Sequence, residues 1–259
     1  MVALTDHDTM AGIPEAAAEA ERHGVRFVPG IEMTTVLEGG GEEIHLLAYH
    51  LRHDDPAIAA LCARTQRALR ERLAEVLEVM RTRIGRHVTM EEVEASAPHT
   101  RVIDRPHLAR VMVARGWAVG SHEVFQRHLG SEGDCFVPLR GIHCGEAIAA
   151  VRAAGGIPVL AHPKYFRYPQ GATPEDIGPL VEAGLLGLEV FHASHSLDEV
   201  GRYRAIAEEF DLLVTGGSDC HGAVLPGGKR GVDHECVPAW VGPQFEKRVR
   251  ELVNTPSSP

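Results

Sequence analysis

No stretch of the 259-residue chain approaches the roughly 18 apolar residues that a membrane-spanning helix requires, and Met1 is not followed by a basic leader segment. The expectation is a cytoplasmic protein that works away from membranes. Its five cysteines, Cys62, Cys135, Cys144, Cys220 and Cys236, are odd in number and nowhere spaced as CxxC, which favours reduced thiols over a disulfide framework. Positive charge is short as well: 26 Lys and Arg stand against 36 Asp and Glu, a formal net charge of −10. That argues against a duplex-DNA partner, because nonspecific binding needs a basic face to neutralise phosphates. A small anionic substrate stays compatible, since bound metal ions invert the local field. Repeats are missing too, which excludes a solenoid. Gly39-Gly40-Gly41 lacks the following Lys-Ser/Thr of a phosphate loop and reads as a hairpin turn.

What is present is an enzyme-like composition, 44% hydrophobic and 24% charged, with 16 histidines. Apolar strand candidates alternate with amphipathic segments. The spacing predicts strands over Val2–Thr5, Arg26–Val28, Met33–Leu37, Glu43–His50, Ile157–Ala161, Leu186–Phe191 and Leu212–Thr215, with a turn at Pro29-Gly30. It predicts helices over Thr9–His23, His143–Ala154, Glu175–Ala183 and Leu197–Phe210. Such alternation implies parallel βα units. Between Pro56 and Leu129 the pattern is wholly helical, with Ile58, Leu61, Leu69, Leu73, Val76, Leu77 and Met80 on one stripe. Residues 56–139 are therefore expected as a helical insertion, with 1–55 and 140–259 forming the main domain. The tail Thr255–Pro259 reads as loose.

Three runs place His or Asp just where a strand gives way to a loop: Thr5-Asp6-His7-Asp8, Ala161-His162-Pro163 and Gly217-Ser218-Asp219-Cys220-His221-Gly222. In α/β barrels the C-terminal strand ends carry the chemistry. Adding Glu32 and His45 gives a candidate ligand set of His7, Glu32, His45, His162, Asp219 and His221. Imidazole and carboxylate suit Zn, Mn or Fe, and a carboxylate can bridge two ions. Residues two apart in an extended segment point the same way, so Asp219 and His221 can share one cavity while Cys220 points elsewhere. For any single histidine an ordinary packing role is the competing reading. His50 and His53 beside Asp54-Asp55 read as a polar loop rather than an accessory site, and the Arg-rich helix Arg64–Arg86, interleaved with Glu71, Glu75 and Glu78, as a solvated face rather than an RNA grip.

The stretches Leu4-Thr5-Asp6-His7-Asp8, Pro29-Gly30-Ile31-Glu32, His45-Leu46-Leu47-Ala48-Tyr49, Ala161-His162-Pro163 and Gly217–Gly222 together resemble the polymerase and histidinol phosphatase (PHP) superfamily of metal-dependent phosphoesterases. The resemblance spans nearly the whole chain. Asp104-Arg105-Pro106-His107 and Val190-Phe191-His192-Ala193-Ser194-His195-Ser196 look like the branch that dephosphorylates nucleoside 3′,5′-bisphosphates and trims short 5′-phosphorylated RNA. It implies an α/β fold, a distorted (β/α)7 PHP-type barrel, holding two or three divalent metal ions (Mn, Fe or Zn, with Mn favoured) on the six residues above, Glu32 bridging. It also implies a small phosphorylated nucleotide or a short RNA 5′ end as substrate, contacted by Arg105, His107, Lys164 and His192. His192 and Arg105 would act in catalysis.

A metal-activated hydroxide would attack phosphorus in line. Arg105 would grip phosphate bidentately, Lys164 would act as a point charge, and His192 or His107 would assist the leaving oxygen. For Arg105 and His107 the competing reading is surface charge in a helix's first turn, for Lys164 a solvated loop, and His195 reads as the neighbour of a helix N-cap.

The family's first strand normally supplies a His-x-His pair and then an Asp, and no such run precedes Thr5-Asp6-His7. One βα unit of roughly 30 residues, carrying up to three ligands, is expected to be absent from the barrel. The open alternatives are a histidinol-phosphatase-like enzyme, a 5′-3′ exoribonuclease, or a non-catalytic homologue.

Overall fold

A computed structural model of the chain describes residues 1–39, 42–221 and 237–254, with side chains through 251 in the last helix. Gly40-Gly41, Gly222 and the tail Thr255–Pro259 lie outside the described residues.

Six strands make one mixed sheet in sequence order: β1 (Val2–Leu4), β2 (Phe27–Val36), β3 (Glu43–Tyr49), β4 (Ile157–Leu160), β5 (Gly187–His192) and β6 (Leu213–Gly217). The sheet curls into a half-barrel, in keeping with a distorted PHP-type barrel. β1 pairs with β2 in parallel, as do β4 with β5 and β5 with β6. β3 runs antiparallel to both of its neighbours, β2 and β4, so the parallel βα pattern expected from alternation is broken at the centre. The short connection after Val36 returns the chain directly as a hairpin, which only antiparallel strands allow.

The expected turn at Pro29-Gly30 is not there. β2 runs unbroken through both residues, with Pro29 opposite Leu4 and Gly30 opposite Tyr49. A β-carbon at Gly30 would lie 2.9 Å from Thr5 Cγ2 and 3.1 Å from the Ala48 carbonyl, so glycine serves close packing between neighbouring strands here.

Helices cover the sheet: α1 (Ile13–Arg22), α6 (Cys144–Ala153), α7 (Pro174–Glu182), α8 (Leu197–Glu209) and α9 (Val241–Asn254). Helix α9 is not among the elements expected from the sequence. Its signal is Val241, Phe245 and Val249 at four-residue spacing, and Pro243 sits in its first turn, where a missing N–H costs little. These three side chains are buried with Val28, Leu47, Tyr49, Val159 and Leu213 from the strands.

Between β3 and α6 lie only helices among the described residues: α2 (Pro56–Arg83), α3 (Met90–Ala95), α4 (Arg105–Ala114), α5 (Ser121–Val124) and a π-helical turn (Phe125–Leu129). Asp55 caps α2 by accepting from the Ala57 and Ile58 amides, with Pro56 in the first turn. Leu73, Val76, Met80, Val93, Leu108, Met112, Val124 and Leu129 form a second apolar core, separate from the main one around Ile31, Met33, Leu46, Ile148, Leu188 and Val190.

Candidate metal centre and its cavity

The strands and the segments that leave them deliver side chains to one cavity of about 590 Å³, within the range of small-molecule sites. Its lining includes His7, Glu32, His45, His162, Asp219 and His221, together with Arg105 and His107. His7 extends β1 and bridges in parallel to Glu32 of β2, fastened by Asp8 N–H donating to the Glu32 carbonyl at 2.8 Å and Glu32 N–H to the Asp6 carbonyl at 3.1 Å. His45 lies on β3 and His162 follows β4, whose exit is tied by Ala161 N–H to the His45 carbonyl at 3.1 Å. Asp8, His162 and Asp219 all hold positive φ (52°, 24° and 52°), a conformation that non-glycine residues keep only where surrounding structure imposes it.

Glu32 is the hub. Its Oε1 is 2.7 Å from His45 Nδ1 and 2.9 Å from His162 Nε2, and its Oε2 is 3.9 Å from His7 Nε2. Ring centroids of His7 and His45, and of His45 and His162, are each 5.1 Å apart; His7 and His221 are 5.7 Å apart. Burial by itself would raise the Glu32 carboxyl, but His7, His162 and His45 overcome it and hold the group well below the usual carboxylate range. His45, between Glu32 and Glu43, is conversely pushed up to about 10 against the pull of burial.

An ionised carboxylate buried among imidazoles is a donor set that suits a divalent cation. His7, Glu32 and His45 each offer a donor atom within 4.8 Å of the others. Buried His192 Nε2 has no hydrogen-bond partner among the described residues and lies 3.6 Å from Asp219 Oδ2. The residues present therefore fit a hard or borderline metal.

A second part of the lining comes from the helices. Buried Arg72 of α2 is ion-paired with both Glu43 and Asp104. Arg105 Nη2 donates to both Glu43 oxygens at 2.9 Å, and its Nη1 to the Leu129 carbonyl at 3.1 Å. A bidentate grip on phosphate by Arg105 thus requires it to leave Glu43. His107 Nδ1 lies 3.1 Å from the Asp104 N–H and 3.3 Å from the Asp104 carbonyl as part of the α4 cap, which leaves Nε2 of the neutral ring for other partners. Burial lowers the His107 pKa, which favours that neutral ring.

Lys164 is placed differently from the sequence expectation. It is not part of the cavity lining; its ammonium is held by the Ser194 carbonyl at 2.8 Å and Glu199 at 3.2 Å, which ties the loop after β4 to α8. His192 borders the wider cleft that adjoins the cavity, and its Nδ1 accepts the Ser194 N–H at 3.2 Å. His195 stands just before the α8 N-cap Ser196 and holds the Val190 carbonyl at 2.9 Å. His50 and His53 are exposed in the loop after β3.

Three acids escaped sequence reasoning. Asp8 is buried and takes both the Thr34 N–H (2.8 Å) and hydroxyl (2.7 Å); burial raises it to about 7 despite those bonds. Glu189 on β5 accepts the His162 N–H at 2.8 Å and is likewise raised by burial to about 7. Glu43 ties His45 to Arg72 and Arg105. The usable signal for Glu189 was a lone acid within the apolar run Leu186–Phe191.

No family model matches the chain. Individual relatives do. The chain is 31% identical over 224 residues (85% of this chain, 82% of the relative) to a phosphoribosyl 1,2-cyclic phosphate 1,2-diphosphodiesterase of Eggerthella lenta. It is 30% identical to a 5′-3′ exoribonuclease of Haemophilus influenzae (93% and 87%) and 30% identical to a 3′,5′-nucleoside bisphosphate phosphatase of Chromobacterium violaceum (93% and 85%). In structure it matches a metal-dependent phosphoesterase from Bifidobacterium adolescentis with a TM-score of 0.82 at 31% identity, covering 95% of this chain and 85% of that one.

Fold, acid-and-imidazole cluster and relatives together define a metal-dependent phosphoester hydrolase. The chain belongs to the PHP superfamily, within the branch that those relatives represent.

Proposed function

We propose that this enzyme hydrolyses a phosphate monoester of a small nucleotide, the 3′-phosphate of a nucleoside 3′,5′-bisphosphate. The observation that carries the reading is one cavity, the size of a small molecule, lined both by the acid-and-imidazole cluster and by Arg105 and His107. A bisphosphate offers two anionic groups to those two sets of side chains, and a relative at 30% identity bears that activity in its name.

In this reading His7, Glu32, His45, His162, Asp219 and His221 hold two or three divalent ions, with Glu32 shared between them, and Mn is favoured because the set contains no thiolate. When bound, such ions neutralise phosphate oxygens and lower the pKa of a water enough for it to attack phosphorus near neutral pH. His107 donates Nε2–H to a phosphate oxygen. Arg105 contributes positive charge to the same wall. His192, whose Nδ1 is engaged by the Ser194 N–H and hydroxyl, would deliver a proton from Nε2 to the leaving oxygen. Residues 56–139 act as a unit that caps the cavity and limits substrate size. The protein works in the cytoplasm without a membrane or duplex-DNA partner.

A second reading is favoured by the wider cleft, which continues from His7, Glu32 and Asp219 past His99, Arg101 and Arg110. Arg101 and Arg110 would suit the phosphates of a short RNA trimmed from its 5′ end. Phosphate or nucleotide release from a nucleoside 3′,5′-bisphosphate, a short 5′-phosphorylated RNA and histidinol phosphate separates the readings. The bisphosphate is expected to have the highest kcat/KM; faster turnover of histidinol phosphate would reject the nucleotide assignment.

A further inference from the structure

Away from the cavity, the loop that closes the helical unit brings together one nitrogen, one oxygen and one sulfur donor. His128 Nδ1 is 2.8 Å from Asp134 Oδ1, Cys135 Sγ is 3.3 Å from the same oxygen, and the three donor atoms all lie within 4.8 Å of one another. We propose that His128, Asp134 and Cys135 form a separate structural site for a zinc-class divalent cation, with water as a fourth ligand.

The backbone builds this site. Helix α5 runs into the π-helical turn, where Gly130 N–H reaches back to the Phe125 carbonyl at 2.8 Å; widened turns of this kind recur at functional sites. The chain then folds over the helix end. Asp134 N–H donates to the Arg127 carbonyl at 3.2 Å and Cys135 N–H to the His128 carbonyl at 3.0 Å. Gly133 makes the reversal possible, since a β-carbon there would lie 2.4 Å from the His128 carbonyl group. The side chains are thus held by main-chain bonds rather than by their mutual contacts.

Donors around tetrahedral zinc, at about 2.0–2.3 Å from the ion, are separated by roughly 3.3–3.8 Å. The 2.8 Å spacing from His128 to Asp134 needs to open by about half an ångström and the 3.3 Å spacing from Cys135 to Asp134 by about a quarter to admit it. Cys135 is fully buried and His128 nearly so, while Asp134 is exposed and gives the ion a way in. Thiolate and carboxylate together balance the dication. The cations facing the loop are already engaged: Arg83 donates to the Asp134 carbonyl at 3.1 Å and Arg127 pairs with Glu123 at 2.8 Å. Without metal, burial and Asp134 push the Cys135 thiol up to about 12. Metal binding releases that proton to solvent, as coordination of a thiol requires.

The site has a consequence at the cavity. Leu129, one residue after His128, supplies the carbonyl to which Arg105 Nη1 donates. A cation joining His128 to Cys135 would fix that carbonyl and hence the Nη1 anchor of Arg105.

The test uses cobalt, because none of the six proposed ligands of the main centre is a thiol. Chelator-stripped full-length protein titrated with Co²⁺ is expected to develop a near-ultraviolet thiolate-to-cobalt charge-transfer band that saturates at the amplitude of one thiolate-bound cobalt per chain. The band is expected to persist in Asp219→Asn and Cys220→Ser and to vanish in Cys135→Ser. Zinc content per chain is expected to fall by one equivalent in Cys135→Ser and in His128→Gln, with folding checked by circular dichroism. A wild-type protein without the band, a band that survives Cys135→Ser, or unchanged zinc content in a folded His128→Gln would each overturn the proposal.

Discussion

The two walls of the cavity are built by different means. His7, Glu32, His45 and His162 sit on or beside strands whose ladders fix their backbones, and their side chains converge on one buried carboxylate. Arg105 and His107 ride on α4, which is fastened to the sheet by charge: Glu43 on β3 takes Arg105 and Arg72, and Arg72 also takes Asp104. A ladder cannot shift by one residue without turning every side chain over, whereas an ion pair can exchange partners. The sheet wall is therefore the place for ligands that must not move. In the proposed function, the helix wall is the place for groups that let go of Glu43 and take phosphate.

If that division is right, the largest losses come from the sheet wall. Asp219→Asn keeps the shape but removes a ligand charge, and is expected to lower kcat by at least about 10²-fold, with metal content falling alongside. Phosphate-release kinetics and elemental analysis on one sample check it; full activity with full metal content would break the division.

Arg72→Met comes next. Removing one partner of a buried pair costs about 3–5 kcal/mol, and here Glu43 and Asp104 would both lose it. Denaturant unfolding is expected to show a loss near the lower end, since Glu43 keeps Arg105.

Arg105→Ala should raise KM about tenfold and change kcat less, if its contact is shared by ground and transition states. A variant matching the parent in both would remove the helical unit from the active site.

The smallest effect belongs to Lys164→Ala. Its ammonium binds Ser194 and Glu199 rather than the cavity, so stability should fall by no more than about 1 kcal/mol with KM unchanged. Burial would raise Glu199, but the Ser196 N-cap and Lys164 pull its carboxyl down to about 2. A depressed carboxyl contributes stability above its unfolded pKa and loses it as pH falls through the folded one. The difference between Lys164→Ala and the parent should hence shrink as pH drops from about 4.5 toward 2.

Some of the residues that line the cavity were legible because strand-to-loop junctions mark themselves: an apolar run ends and His or Asp follows, as at Leu160-Ala161-His162. The long helix Pro56–Arg83 was legible from its stripe and its Asp55-Pro56 start. The direction of β3 and β4 was not, since alternation reports that a strand exists and says nothing of its partner. Pro29-Gly30 misled for a related reason: local turn chemistry yielded to the packing of three strands around Gly30. Lys164 illustrates a limit at the site itself. Its neighbourhood to His162 in sequence carried no information about Glu199, 35 residues away.

The claim that Glu32 and its histidines hold the ions that drive phosphoester hydrolysis is tested most directly by re-metallation. Chelator-stripped protein and its Glu32→Gln variant are assayed on a nucleoside 3′,5′-bisphosphate before and after Mn²⁺ is added. The expected result is negligible phosphate release from both before addition, recovery in the parent, and a rate at least about 10²-fold lower in the variant. Undiminished turnover in the stripped parent, or full recovery by Glu32→Gln, would contradict it.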